Sequence, residues 1–357
     1  MVHIGKGRAL DFSFLGLIVL SFFGAVALST GLTPIMIRLA EKWHVFDAPG
    51  GHKTHSKPIP YMGGVAIVVA VGSMIAVWVS LNATADLAQE IIVVGLVAVC
   101  FAVLGFIDDI KNLSPSVRLV VEIAGALSVV AFAAKAQTGL PDFFDFGLSV
   151  LWVVAVVNAV NMLDHQDGLT AGTTAISAAA FAWIAWENNQ TFVPALCGTL
   201  AGASIGFLKS NFHPAKIYMG DSGAYFLGLL LAYAGLKTDT QLSQNISVWI
   251  APLVIAVPVI DSSLVVLSRI RNGLNPLKGG KDHTSHRLMR AGLSKPVAVI
   301  SIYCTSIYFA LLALFATVFT PDLATPIIIF SGVSAIAITT VLYQHDPGYK
   351  DTPSTFG

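Results

Sequence analysis

Long apolar stretches alternate with short polar ones along almost the whole chain. A helix crossing hydrocarbon needs about 20 apolar residues. Eleven stretches meet that need: 12–38, 63–81, 90–107, 116–136, 146–163, 170–187, 192–209, 222–238, 247–268, 297–319 and 324–343. Lipid offers the backbone no hydrogen-bond partner, so these stretches read as helices. The connections at 137–145, 188–191 and 239–246 are brief, whereas 39–62 and 269–296 are longer and polar. The expected fold is all-α, a polytopic membrane protein in which residues 1–343 form one integral membrane domain. The tail 344–357 holds Pro, Gly, Ser and Thr and is expected to be flexible. The basic stretch Met1–Leu10 precedes the first span without a small-residue cleavage site, so that span is expected to be retained. No internal repeat is visible.

Composition agrees with this pattern. Of 357 residues 55% are hydrophobic and 11% charged, and the mean hydropathy is +0.76; a soluble domain carries about 25% charged residues. Cys100, Cys197 and Cys304 lie in apolar stretches without metal-type spacing and read as small core residues. A net charge of zero gives no reason to expect a nucleic-acid partner. The position of the charges is more informative. All 20 Lys and Arg except Lys6, Arg8, Lys135 and Lys237 fall on the side that carries the loops 39–62, 108–115, 164–169, 210–221 and 269–296. Positive residues favour the cytoplasmic side. The expected arrangement is therefore an inner (plasma) membrane protein with those loops in the cytoplasm, the N-terminus outside and the C-terminus inside.

Five polar clusters share that edge. Asp47 to Pro60, with Lys53, His55 and several Pro and Gly, is a basic loop suited to a phosphate ligand. Asp108 and Asp109 end the third stretch; neighbours on a helix point about 100° apart, so they need not share a ligand. Asn158 and Asn161 are spaced to share a helix face, Asp164 and Asp167 follow, and Gly168 permits a sharp turn. Asn211 and the run Lys216 to Gly223, with Tyr218 and Asp221, lead into the eighth stretch; glycines beside a carboxylate let a metal-bound phosphate approach. His283, His286 and Arg287 sit in the ninth-to-tenth loop, where they can bind a pyrophosphate or steer a sugar. Alone, each cluster also reads as an ordinary polar helix end or basic loop. Acids, amides and basic groups collected at one edge point instead to Mg²⁺ and a polyanion. Because those loops close lipid-spanning helices, one substrate is expected to be a membrane lipid. A secondary transporter is the competing class, but its acids would lie near the middle of the spans. Asp261, after Pro258, does lie at such depth, and it is left unassigned.

With these residues in order, the chain resembles the polyprenyl-phosphate N-acetylhexosamine-1-phosphate transferases from about Thr33 to Leu288. The resemblance rests on Asp47-x-Pro49-x-x-His52-Lys53-x-His55, on Asp108-Asp109, on Asn158-x-x-Asn161-x-x-Asp164-x-x-Asp167-Gly168, on Gly220-Asp221-Ser222-Gly223 and on His283-x-x-His286-Arg287. The chain departs from the family pattern at His52, at His165 (for a common glycine) and at Ser285 (for a third histidine). The resemblance implies transfer of an N-acetylhexosamine 1-phosphate, expected to be GlcNAc 1-phosphate, from a UDP-N-acetylhexosamine to polyprenyl (undecaprenyl) phosphate, with release of UMP. The phospho-MurNAc-pentapeptide transferase is the alternative of the same fold. It also implies Mg²⁺, with Mn²⁺ as a substitute, held by Asp221. Asp108, Asp109, Asp164, His283 and His286 take catalytic places. Lys53, His55, Asn158, Asn161, Asp167, Asn211, Tyr218 and Arg287 bind substrate, with Tyr218 against uracil and Asp167 reading its edge. The sequence leaves single or double displacement open, and also the assembly, with a homodimer among the options.

Overall fold

The structure, a computed structural model, describes residues 12–47, 58–82, 84–275, 280–318 and 321–344. Helix α1 (Phe12–Trp43) leads into strand β1 (Phe46–Asp47), which pairs antiparallel with β2 (Ile59–Pro60). Helices α2 (Gly63–Asn82), α3 (Ala85–Lys111), α4 (Pro115–Phe132), α5 (Asp142–Leu163), α6 (Leu169–Glu187), α7 (Phe192–Asn211) and α8 (Gly220–Lys237) follow. The short α9 (Gln244–Ser247) and α10 (Ile250–Val254) precede α11 (Ala256–Arg271), α12 (Thr284–Arg290), α13 (Lys295–Val318) and α14 (Pro321–Gln344). The tail from 345 on lies outside the described residues. The chain is thus an all-α, multi-pass membrane protein.

Among the described residues, nine helices are long and apolar enough to cross a membrane, or ten if the bent run Gln244–Val254 and Ala256–Arg271 counts as one. The eighth expected span, 222–238, is α8, which carries Asp221 and Lys237 at its ends and falls short of that apolarity. Its surroundings explain how it is tolerated: every residue from Ser222 to Ala234 is buried, against α2, α3, α5, α6 and α7. Protein, not lipid, solvates it.

The ninth stretch, expected as a straight span over 247–268, is instead broken at Ile255 and bent by 77°. Proline lacks the N–H that would bond the carbonyl four residues back, and its ring clashes there. For Pro258 that carbonyl belongs to Val254, and the buried hydroxyl of Ser177 on α6 donates to it at 3.0 Å. The bend is therefore written in Pro258 and stabilised by a donor from a neighbouring helix.

Small residues set how closely the helices pack, as expected where lipid removes any hydrophobic drive between them. Along α7, a Cβ on Gly202 would stand 2.2 Å from the Phe22 carbonyl oxygen, and one on Gly206 2.6 Å from that of Val26. Helix α1 thus lies directly on that glycine face. Gly105 on α3 does the same for α8: a Cβ there would meet the Asp221 carbonyl carbon at 2.3 Å. That contact lies one turn before Asp109, so it fixes the start of α8 beside the end of α3. Outward faces carry Phe132, Phe143 and Ile336, all largely exposed to the lipid zone.

Successive helices run antiparallel. The C-termini of α1, α3, α5 and α7 and the N-termini of α2, α4, α6 and α8 meet at one end. The opposite end holds the Lys135–Asp142 pair and Glu90 with Tyr233 and Lys237.

Candidate active site

At the first end, two carboxylates from different helices face each other. The Asp221 N–H donates to Asp109 Oδ1 at 3.1 Å, and Asn161 Nδ2 donates to Asp221 Oδ1 at 2.8 Å. Gly220 makes this approach possible: its φ is +73°, and a Cβ there would lie 2.6 Å from Asp109 Oδ2. Tyr61, which the sequence reading did not single out, donates its hydroxyl to the Asp109 carbonyl at 2.7 Å. Asp109 Oδ2 is buried without a hydrogen-bond partner. Such an oxygen costs about 1–3 kcal/mol if left unpaired, and the repulsion of Asp221 adds to that. Two hard carboxylate oxygens suit Mg²⁺, which takes one or two protein carboxylates and completes its shell elsewhere. The donor set fits the expected ion, and Mn²⁺ as its substitute.

Asp108 has a different part. Its Oδ2 accepts from Arg118 Nη1 at 2.7 Å and its Oδ1 from the Leu113 N–H at 2.6 Å. The residue closes the turn between α3 and α4, where Asn112 takes a left-handed φ of 50° and Ser114 caps α4 ahead of Pro115. Asp109 is thus turned into the site, while Asp108 is held by a cation and also lies beside the Asp221 carboxyl. Asn158 is also held elsewhere. Its Nδ2 donates to the buried Glu122 of α4 and to the Val154 carbonyl, so the amide expected on substrate braces α5 against α4.

The loop between α5 and α6 forms the next part. Asp164 ends α5; burial pushes its carboxyl up to about 7, with Thr170 drawing it down in part and Asp167 adding to the rise. Asp164 also acts electrostatically on Asp221, so it lies between the carboxylate pair and Asp167. One Asp167 oxygen accepts from His213 Nδ1 at 2.7 Å and from the Ala215 N–H at 3.2 Å. His213 escaped the sequence reading because it sits in an unremarkable Phe-His-Pro run. Burial, then Asp167, raises the Tyr218 phenol above its usual range, so ring and carboxylate share one pocket. The Tyr218 backbone is gripped on both sides: its N–H donates to the Pro60 carbonyl at 2.7 Å, and its carbonyl accepts from Gly63 at 3.0 Å. The pair β1–β2 therefore brings the base of the basic loop beside Tyr218. Lys53 and His55, expected on the phosphates, lie outside the described residues.

Two expected substrate contacts are engaged in scaffolding. Asn211 is buried; its Oδ1 accepts from the Gly168 N–H at 3.0 Å and its Nδ2 donates to the Ile217 carbonyl at 2.9 Å. It ties the start of α6 to the Tyr218 segment, and so shapes the pocket wall. Arg287 is equally buried, donating to the Asp282 carbonyl at 2.9 Å, Ser268 Oγ at 3.0 Å and the Leu342 carbonyl at 3.3 Å. A guanidinium so bound anchors α12 to α11 and α14.

The histidines come together from two loops. His165 and His283 stack with centroids 4.0 Å apart, and His286 lies 5.3 Å from His165 and 6.3 Å from His283. His165 Nδ1 donates to the Met162 carbonyl at 3.0 Å, and its Nε2 accepts from Ser285 Oγ at 2.8 Å. Two of the three departures from the family pattern thus bond each other, and His165 supplies the imidazole that position 285 lacks. Burial, helped by the neighbouring His283, lowers His165 to about 3 and His286 to about 4, so both are neutral at physiological pH. His165, Asp261 and His283 offer ligand atoms within 4.8 Å of one another, but both His165 nitrogens are already bonded.

Residues 91–239 match the family described as glycosyl transferase family 4. The chain is similar to the probable undecaprenyl-phosphate N-acetylglucosaminyl 1-phosphate transferase of Bacillus subtilis (strain 168), 33% identical over 83% of this chain and 84% of that one. It is 30% identical to the decaprenyl-phosphate N-acetylglucosaminephosphotransferase of Mycolicibacterium smegmatis, over 88% and 86% of the two chains. The phospho-N-acetylmuramoyl-pentapeptide-transferase of Halalkalibacterium halodurans is 31% identical over 84% of this chain and 96% of its own.

Proposed function

Because the chain belongs to glycosyl transferase family 4, we propose that it transfers N-acetylglucosamine 1-phosphate from UDP-N-acetylglucosamine to a polyprenyl phosphate, releasing UMP. The observation that carries this reading is the unpartnered oxygen of Asp109 facing Asp221 where lipid-spanning helices end. Asp109 and Asp221 would hold Mg²⁺, which supplies charge neutralisation on the diphosphate. Asn161 orients Asp221, while Asp108 and Arg118 fix the turn behind Asp109. Asp164 spans the interval from the diphosphate to the nucleoside. Tyr218 offers a flat face to uracil, and Asp167, aligned by His213, accepts from the ring N–H. His283 and His286 stand at the lipid phosphate.

The prenyl chain has a place to lie. A cleft of about 980 Å³ runs beside α5 from the opposite end, lined by Leu151, Trp152 and Val156 and, across from them, by Val259 of the bent α11. It reaches Ala159, little more than one turn before Asp164. The lipid phosphate would meet the carboxylates at the cytoplasmic edge of the inner membrane, the side rich in Lys and Arg.

The deciding assay combines purified protein, polyprenyl phosphate and a panel of UDP-sugars, scored by UMP release. UMP from UDP-N-acetylglucosamine is expected, lost on chelation and restored by Mg²⁺. Asp221→Asn should slow turnover by roughly 10³-fold or more, as losing a ligand to the diphosphate's counter-ion implies, while the protein stays folded in detergent. Release only from UDP-MurNAc-pentapeptide would move the chain to the other branch; near-normal activity of Asp221→Asn would remove the metal assignment.

A further inference from the structure

The unassigned carboxylate in the bent span has a defined partner. Asp261 is 1% exposed. Its Oδ2 accepts from His283 Nδ1 at 2.7 Å and its Oδ1 from the Thr284 N–H at 2.7 Å. The buried guanidinium groups nearby are committed elsewhere: Arg269 is bound by both oxygens of Asp282, at 2.6 and 2.7 Å, and Arg287 donates to the Asp282 carbonyl and Ser268 Oγ. His283 is therefore what Asp261 serves. A carboxylate only accepts, so Nδ1 must carry the proton and the unprotonated nitrogen of neutral His283 is Nε2. No protein group among the described residues bonds Nε2. Stacking on His165, itself tied to Met162 and Ser285, fixes the ring plane. Such rigidity is more than a buried helix start requires. An asparagine at 261 could bond the Thr284 N–H equally well, but its amide N–H₂ would face Nδ1 and turn the tautomer round.

We propose that Asp261 is a positioning residue, holding His283 in the Nδ1–H form so that Nε2 takes the proton from the attacking lipid phosphate. The inference rests on the transfer reaction proposed above. A phosphate monoester has a second pKa of about 6, so part of the lipid arrives as the mono-anion in a pocket crowded with carboxylates. Its O–H bond breaks, the proton goes to Nε2, and the electron pair stays on oxygen. That oxygen then bonds the β-phosphorus of the UDP-sugar, and the bond from that phosphorus to the bridging oxygen breaks, UMP leaving with the pair. Asp261 offsets the imidazolium charge while the proton is held, as the buried carboxylate does behind a catalytic histidine elsewhere.

The test is a double-mutant cycle on purified protein in lipid nanodiscs, read as UMP release. Asp261→Asn and His283→Gln should each lower kcat by roughly 100-fold, within the range for a lost proton acceptor, with KM for UDP-N-acetylglucosamine nearly unchanged. The double variant should be no slower than the slower single one, because Asp261 acts only through His283. Losses that multiply, or a rise in KM matching the fall in kcat, would overturn the proposal. A second measurement covers an Asp261→Asn that does not fold: ¹⁵N NMR of the wild type, with the His283 signals identified by their loss in His283→Gln. The Nδ1–H tautomer supports the proposal and the Nε2–H tautomer overturns it. That spectrum needs no turnover, so a wild type that releases no UMP from any UDP-sugar would sink the transfer reading alone.

Discussion

A single hydrogen atom separates the site at Gly220 from a blocked one. Alanine there would place a methyl 2.6 Å from Asp109 Oδ2 and must adopt a φ of +73°. The left-handed backbone costs an ordinary residue about 1–2 kcal/mol, which a bundle this size tolerates. Displacing Asp109 from Asp221 is the larger harm. Gly220→Ala should therefore keep its fold, losing only a few degrees of unfolding temperature, yet lose roughly 100-fold or more in UMP release; equal rates with wild type would show that the carboxylate pair is not where the chemistry occurs. At the nucleoside pocket the same reasoning is chemical. In the proposed pocket an Asp167 carboxylate would accept from the uracil N–H and repel the unprotonated ring nitrogen of cytosine. Tyr218→Ala and Asp167→Asn should each weaken UDP-sugar binding by about 1–3 kcal/mol, roughly tenfold to hundredfold, and CDP-sugars should be refused. Calorimetric titration with UDP checks the first, and equal turnover of CDP- and UDP-linked sugar would retire the pocket assignment.

Elements explain which residues could be read in advance. Asp109 and Asp221 stood out in the sequence because an acid where an apolar run ends or begins is costly; only Asp221 was expected on a metal, and the structure brings Asp109 beside it. Asn158 and Asn161 share a face, as their spacing says, but spacing does not say what stands opposite. Asn161 meets Asp221 on α8, while Asn158 meets Glu122, a lone acid hidden inside an apolar run on α4. Asn211 and Arg287 carry suitable chemistry, but the backbone groups they satisfy belong to segments distant in sequence, or to a short helix whose existence the sequence did not announce. Pro258 was visible, yet the bend it makes depends on Ser177 across the bundle. That dependence is testable. Ser177→Ala leaves the Val254 carbonyl buried with no donor, a loss of about 1–3 kcal/mol, so the unfolding midpoint in detergent should fall while UMP release at low temperature stays near wild type. An unchanged midpoint would mean that the freed carbonyl finds another partner.

At the scale of the whole molecule, the two ends differ in more than the site. The described basic residues of the far end, Lys135 and Lys237, are each paired, with Asp142 and Glu90. At the site end Arg118 and Arg269 are also paired, but Lys111, Arg271 and their neighbours leave an excess of positive groups around the carboxylates. Positive residues resist translocation, and a nucleotide-sugar donor is made where nucleotides are, so both arguments support the proposed cytoplasmic site. The far end, with its cleft, would then face outward. The arrangement can be read chemically in a variant with Cys100, Cys197 and Cys304 replaced by alanine. A cysteine at the exposed Ser116 or Asn272, near the site, should react with an impermeant thiol reagent only after the cytoplasmic face is opened. A cysteine at the exposed Glu187, on the far side, should react in sealed cells. Labelling of Asn272→Cys in sealed cells, with Glu187→Cys protected, would turn the whole bundle over and with it the proposed access of donor to the site.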